Sequence, residues 1–362
     1  MALFPNLIFL SLLVLGIGLF ARNISRIRRN ILIGKELYRS DNKSLRWSHM
    51  IRVALGQSKM STRPLAAFLH LIVYVGFILI NIELLEIVLD GIIGSHRLFA
   101  PFLGRLYNFL IGTFEVFAFL VLISVIVFWT RRNVVRIKRF WKPEMKGWPK
   151  RDADFILYFE VVLMLLFLSM NATDSILQDR GVETYINAGS FPISQFLYPL
   201  FDGLSDQALI IFERSFWWLH ILGILIFLNY LFYSKHLHIL LAFPNTFYAN
   251  LEPEGRFEVD SHIKNEVMLM MHPEKEISEN KASPPDKFGA NDIFDLKWTQ
   301  LMNAYSCTEC GRCSDVCPAN QTGKKLSPRK IMMDTRDRLE EVGKNIDVNK
   351  GVFKDDNKKL LN

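Results

Sequence analysis

Residues 64–89 read PLAAFLHLIVYVGFILINIELLEIVL, and this stretch decides the fold class. At about 1.5 Å per helical residue it is long enough to cross a hydrocarbon core of roughly 30 Å. Pro64 suits the first turn of a helix, where its missing N–H is not needed. Glu83, Glu86 and the following Asp90 fall at i, i+3 and i+7, so they share one helix face near the far end. His70 lies about two turns in from the near end. Ionisable groups inside a bilayer are costly and mark function, so this stretch reads as more than a lipid anchor.

Four further apolar runs lie at 3–20, 106–129, 155–169 and 216 to about 241, giving five expected spans. The chain is 50% hydrophobic yet 22% charged, and the two figures reconcile because the apolar residues are bunched in the first 245. No basic residue precedes the first run, and Arg22, Arg26, Arg28 and Arg29 follow it. That flank pattern predicts a retained helix with its N-terminus outside, not a cleaved signal. Loops 21–63 and 130–153 carry 11 and 9 Lys+Arg, against 2 and 1 in loops 90–106 and 173–213. The alternation places the basic loops and the C-terminal part in the cytoplasm. It also explains the net charge of +7 by topology, so no nucleic-acid partner is expected.

His220 and His238 are both read on the fifth span. Their 18-residue separation is about five turns, which puts them on one face, roughly 27 Å apart along the axis. His236 points to nearly the opposite side. His70 and His238 then share a depth near the cytoplasmic surface, and the pair suits the axial ligands of a b-type haem. Lone hydrogen-bonded or snorkelling histidines are the competing reading. His96 is the candidate partner of His220 for a second haem, with a loop histidine beside Arg97 as the alternative. Glu83, Glu86 and Glu115 are candidates for proton transfer, since buried carboxylates are costly unless paired or protonated. Against this, Glu86 and Asp90 could pair with Arg97 or cap the loop backbone. Glu160 in the fourth span is a further carboxylate to account for.

All four cysteines lie in Cys307-Thr-Glu-Cys310-Gly-Arg-Cys313-Ser-Asp-Val-Cys317-Pro318. The spacing C-x2-C-x2-C-x3-C-P is the ligand run of bacterial-type [4Fe–4S] ferredoxins. Structural zinc sites separate two C-x2-C pairs more widely, and nothing else points to an oxidising compartment for disulfides. In two-cluster ferredoxins the fourth cysteine of such a run ligates the other cluster. Either Cys317 closes a single site or the chain stops before a second run; the unpunctuated stretch 353–362 favours the latter. One or two clusters and one or two haems are therefore expected. Residues 246–290, with Ser283-Pro284-Pro285, read as a cytoplasmic linker in which His262 and His272 are solvated. Phe294, Trp298, Leu301 and Met302 have helical spacing and are expected to pack over the cysteine loop, and 328–342 reads as another helix.

The quotable residues of the membrane part are Phe68-Leu69-His70 with Gly76, Leu219-His220-Ile221-Leu222-Gly223, and His236-Leu237-His238 with Pro244. In these it resembles the cytochrome b (gamma) subunit of respiratory nitrate reductase and its relatives in membrane-bound heterodisulfide reductase. That resemblance implies haem b between the second and fifth helices. Where the nitrate reductase subunit has a second histidine on the second span, Ile80 stands here. Residues 295–329 look like the two-cluster ferredoxin domain of heterodisulfide-reductase-type proteins.

The expected architecture is an all-α membrane protein: a five-helix transmembrane haem-binding bundle (1–245), a linker (246–290) and a small cytoplasmic ferredoxin-like helical iron–sulfur domain (291–362). The expected function is electron transfer between membrane quinone or quinol and a cytoplasmic redox subunit, possessing cysteine-rich heterodisulfide-reductase-like character, at the inner (plasma) membrane. The alternative is a membrane-anchored ferredoxin without haem, acting as a docking or assembly module.

Overall fold

The computed structural model describes residues 3–253, 255, 261–272 and 289–360. The Ser283-Pro284-Pro285 punctuation, the side chain of His262 and the last two residues lie outside them. All regular elements among the described residues are helices, apart from an isolated bridge between Lys35 and Lys297. Five are long and apolar enough to cross a membrane, which makes this a membrane protein. They are α1 (Leu3–Ile31), α3 (Pro64–Ile93), α4 (Arg105–Asn133), α5 (Trp148–Asp179) and α6 (Asp206–Tyr230). A short helix, α2 (Lys43–Met50), lies between the first two.

Two of these helices depart from the apolar runs that announced them. Helix α5 continues past 169 to Asp179, and α6 starts ten residues before 216. The extra turns are polar but buried, with Asn171, Thr173, Asp174 and Glu213 all under 4% exposed. Internal hydrogen bonds keep such groups tolerable there. Helix α6 also ends earlier than expected. Ser234 is extended (ψ 150), the Lys235 N–H donates to Asp152 at 3.1 Å, and the His236 N–H donates to the Ser234 hydroxyl at 3.0 Å. Asp152 also accepts from the Tyr230 hydroxyl at 2.6 Å. The single face holding His220 and His238 is therefore corrected. His220 lies near the middle of the 25-residue α6, and His238 opens a separate helix, α7 (His238–Phe247).

The chain divides into two compact units: Met1–Ser25 with Gln57–Leu237, and Arg26–Gly56 with His238–Asn362. In the first, Tyr107, Ile111, Phe114, Ala118, Val121 and Val125 form one buried stripe of α4, in a core shared with Leu163, Phe167 and Leu168 of α5. Close approach sets where α1 and α3 pack. A Cβ on Gly76 would come within 2.7 Å of Val121, and one on Gly91 within 2.6 Å of the Phe9 ring. The buried Phe9 in turn packs against Trp217 with ring centroids 5.4 Å apart.

The second unit holds α7, α8 (Ser261–Met271), α9 (Trp298–Tyr305) and α10 (Pro328–Val348). Leu296 is extended and interrupts the helical pattern ahead of α9. The segment 26–56, read above only as a basic loop, is built into this unit. Lys35 donates to the Leu296 carbonyl at 2.8 Å, Trp298 donates back to Lys35 at 3.1 Å, and the Trp298 indole donates to Leu37 at 2.9 Å. Arg46, 1% exposed, donates to the carbonyls of Asp41, Phe247 and Ala249 at 2.8–3.1 Å and pairs with the Asp41 carboxylate at 2.7 Å. Asn30 donates to the Tyr305 hydroxyl at 2.9 Å, which donates to Glu340 at 2.5 Å. Helix α10 buries Met333, Leu339, Val342 and Ile346, and α9 buries Leu301, Met302, Ala304 and Tyr305.

Candidate functional sites: the cysteine loop and the bundle cavity

Between α9 and α10 the chain turns tightly through the cysteine run. Glu309 and Gly311 both take left-handed backbone angles (φ 55 and 76), a region that costs little only for glycine. The Glu309 side chain is buried and paired with Arg336 at 2.9 Å, which holds the costlier of the two turns. This curl points the Glu309 N–H at the Cys307 sulfur at 3.4 Å. Burial pushes the Cys307 thiol up, against that N–H. Cys310 goes the other way. Burial opposes its ionisation, but hydrogen bonds from the Arg312 N–H, the Arg312 side chain and Thr308 outweigh it and lower the thiol. Cys307, Cys310 and Cys317 are half-buried, and Cys313 is exposed. The far side of the loop is fixed by Ser314, whose hydroxyl meets that of Ser327 at 3.1 Å and accepts from the Arg329 N–H at 3.2 Å. Among the described residues no three His, Cys, Asp or Glu side chains converge on one point. What is in place is the backbone: left-handed turns with N–H groups aimed at sulfur, the surroundings a cluster-bearing loop uses.

The histidines part company. His220 is 3% exposed, and its Nδ1 lies 3.1 Å from the Leu163 carbonyl. Only a protonated Nδ1 can make that bond, which leaves Nε2 as the lone-pair nitrogen in the neutral ring. This is the orientation that metal-binding histidines adopt. The Phe167 ring packs against it at 5.8 Å. His96 is held in the loop. The Ile186 N–H donates to its Nδ1 at 3.3 Å and its Nε2 meets Asp174 at 3.1 Å, so both ring nitrogens are occupied. His70 is half-buried two turns into α3, within the first unit, while His238 belongs to the second. The ring of His236 packs on Phe227 at 5.6 Å.

The carboxylates sort equally clearly. Asp90 accepts the N–H groups of Arg97 at 3.0 Å and Leu98 at 3.1 Å, and the Ser95 hydroxyl at 2.6 Å. Glu86 accepts the Phe99 N–H and the Tyr107 hydroxyl, both at 2.8 Å. Glu115 accepts the Ile193 and Ser194 N–H groups at 2.9 and 3.1 Å, together with Asn171 and the Ser194 hydroxyl. These three cap loops. Glu83 differs: it is 4% exposed, and its Oε2 has no hydrogen-bond partner among the described residues.

Glu83, Glu86 and Asp90 line a cavity of about 450 Å³ within the first unit. Its walls come from α1, α3, α5, α6 and the 94–97 turn, with Phe9, Ile87, Met170, Trp217 and Trp218 as apolar panels. Arg97 and Asp174 pair on its lining at 2.5–2.7 Å, and Arg97 also reaches Tyr107 at 3.1 Å and Asn171 at 3.3 Å. Burial works against the Arg97 charge, and Asp174 outweighs it, so the guanidinium stays charged. Arg214 pairs with Glu213, which accepts from the Tyr185 hydroxyl at 3.0 Å. Sequence reading missed Asp174, Glu213 and Arg214 because they fall beyond the apolar runs. The signal that could have found them is the 15-residue fourth run, too short for a span unless the helix continues.

No family model matches the chain, and no solved structure does. It is 29% identical over 342 residues to a Bacillus subtilis protein named "Probable iron-sulfur-binding oxidoreductase FadF", covering 93% of this chain and 43% of that one. It is 27% identical over 309 residues to the "EtfAB:quinone oxidoreductase" of Syntrophomonas wolfei, covering 83% of this chain and 38% of that one. A third similarity, 45% over 46 residues, is to a "Probable membrane-anchored ferredoxin" of Chromohalobacter salexigens, covering 13% of this chain and 7% of that one. The chain thus spans less than half the length of the curated relatives it matches.

Proposed function

We propose that this chain is a membrane-bound electron-transfer protein, working between membrane quinone or quinol and a cytoplasmic redox partner. The observation that carries the reading is the cysteine loop, with four cysteines at cluster spacing on a turn whose N–H groups face sulfur. The relatives named for iron–sulfur binding and ferredoxin support it, and the one named for quinone supports the membrane side.

On this reading Cys307, Cys310 and Cys313 hold three corners of a [4Fe–4S] cluster, and Cys317 closes it or reaches a second one. A bound cluster supplies one-electron chemistry. The exposed Cys313 marks the face nearest a docking partner, and Arg312 and Arg336 offset thiolate charge. A b-type haem in the bundle belongs to the same proposal. His220 is its best-prepared ligand, and His70 and His238 are candidates on sequence grounds. Proton handling is assigned to the carboxylates Glu83, Glu86 and Glu115 as a group. The basic loops support a cytoplasmic cysteine domain and an outside N-terminus, in the cell's plasma membrane. A cysteine-rich, heterodisulfide-reductase-like subunit is the partner this arrangement suits.

The second reading, a membrane-anchored ferredoxin without haem, draws on the third similarity. It also draws on the tight seam beside His220, where a Cβ on Gly223 would meet Leu163 at 2.8 Å. The test of the cluster is anaerobic purification with iron and acid-labile sulfide quantified. Roughly four of each per cluster are expected. Iron without sulfide, or neither, contradicts the reading.

A further inference from the structure

We propose that the bundle cavity is the binding site for the head group of a lipid-soluble quinol, and that Glu83 takes its protons. The inference deepens the quinone-linked reading above and rests on it. Three features of the cavity support this site.

The first is shape. About 450 Å³ suits a small aromatic ring system, and the lining sets aromatic and branched apolar side chains beside a cluster of charged and polar ones. Phe9, Ile87, Trp217 and Trp218 offer flat or branched apolar surface to a ring.

The second is Glu83 itself. Of the buried carboxylates on the lining, Glu86, Asp174 and Glu213 each accept hydrogen bonds from neighbouring residues. Glu83 keeps a buried oxygen with no partner among the described residues. A buried acceptor left unmade is expensive, so its retention calls for a donor from outside the chain. A ring hydroxyl is such a donor.

The third is the way out for protons. From Glu83 the lining continues through Glu86 to Asp90, Ser95 and His96 at the loop, a run of proton-exchanging side chains ending at half-exposed positions. Oxidation of a quinol to quinone breaks two O–H bonds and releases two electrons and two protons. The electrons leave to the one-electron redox groups proposed above, which act as oxidant. The protons leave one at a time through the Glu83 carboxylate to water at the loop end.

The experiment uses the full chain in nanodiscs, with 2-heptyl-4-hydroxyquinoline N-oxide as a fluorescent quinol analogue and reduced menaquinol analogue as electron donor. E83Q keeps the size of the side chain and removes its basicity. It is expected to bind the analogue within about threefold of wild type. Its quinol-driven reduction rate is expected to fall at least 100-fold, the usual size of a general-base contribution, and to lose the pH dependence of wild type. Trp218→Ala is expected to weaken analogue binding instead. E160Q, in the fourth span but not on the cavity lining, is expected to change neither. Analogue binding and quinol oxidation that are both untouched in E83Q and Trp218→Ala overturn the site while leaving the quinone reading standing. Wild-type protein that neither binds the analogue nor is reduced by quinol overturns both.

Discussion

The two units of this molecule lean on opposite charges for many of their segment ties, although Arg180 also ties a bundle loop to the Leu204 carbonyl and Asp295 accepts two N–H groups ahead of the cysteine run. In the membrane bundle, loops are tied to helices by carboxylates that accept backbone N–H groups: Asp90 for Arg97 and Leu98, Glu86 for Phe99, Glu115 for Ile193 and Ser194. In the cysteine-bearing unit, segments are tied by guanidinium groups that donate to carbonyls: Arg46 to Phe247 and Ala249, Arg29 to Gly343, Arg338 to Lys358. The difference follows from what each unit leaves unsatisfied. Apolar spans joined by short turns leave loop N–H groups without water, and a carboxylate with two oxygens serves two at once. Short helices joined by irregular chain leave carbonyls, and arginine's fork reaches several. Glu83 keeps an oxygen that ties no loop among the described residues.

The largest effect expected from breaking this pattern is in the bundle. Arg97→Ala leaves Asp174 buried without its guanidinium, and the loss of one partner of a buried pair costs about 3–5 kcal/mol. A thermal unfolding series in detergent checks it, and a shift within error of wild type would contradict a stabilising Arg97–Asp174 pair. Next comes Arg46→Met in the second unit, which keeps bulk but strands the carbonyls of Phe247 and Ala249. A loss of roughly 2–3 kcal/mol is expected, read as faster proteolysis within 26–56. A smaller contrast lies inside the cysteine loop. In cluster-free protein at neutral pH, Cys310 is expected to alkylate several-fold faster than Cys307, because its thiol is lowered and that of Cys307 raised. Peptide mass spectrometry after brief iodoacetamide treatment measures the ratio, and equal rates contradict it.

The smallest effect concerns Asp356, which hydrogen bonds from Arg338 hold down to about 2, against some burial. A carboxyl that ionises more readily when folded contributes stability in full above its unfolded value of about 4. That contribution fades as pH falls through about 2. Amide exchange of residues 351–360 is therefore expected to accelerate between about pH 4 and pH 2, and D356N is expected to remove the pH step.

Much of this was legible in the residues. Hydropathy announced five spans because lipid demands long apolar runs, and the cysteine spacing stood alone. The polar ends of α5 and α6 were hidden, because Asp174 and Glu213 look like loop residues until Arg97 and Tyr185 are seen beside them. The break at Ser234 was hidden for a related reason. Its cause is Asp152, far back in the chain, so no local pattern marks it. Segment 26–56 read as basic topology signal, and Arg29 and Arg46 anchor the second unit, which the sequence pattern alone did not mark. Among the carboxylates, Glu86 and Glu115 accept loop N–H groups and Glu83 keeps an oxygen without a hydrogen-bond partner among the described residues, a difference that no sequence spacing marks.

The proposed function stands on redox centres of two kinds in one chain, and a dithionite-reduced minus air-oxidised spectrum tests that most directly, with iron and sulfide quantified on the same sample. The account predicts a b-type α band and Soret shift together with labile sulfide. Sulfide at full stoichiometry with a flat Soret region would contradict it and leave the anchored-ferredoxin reading in its place.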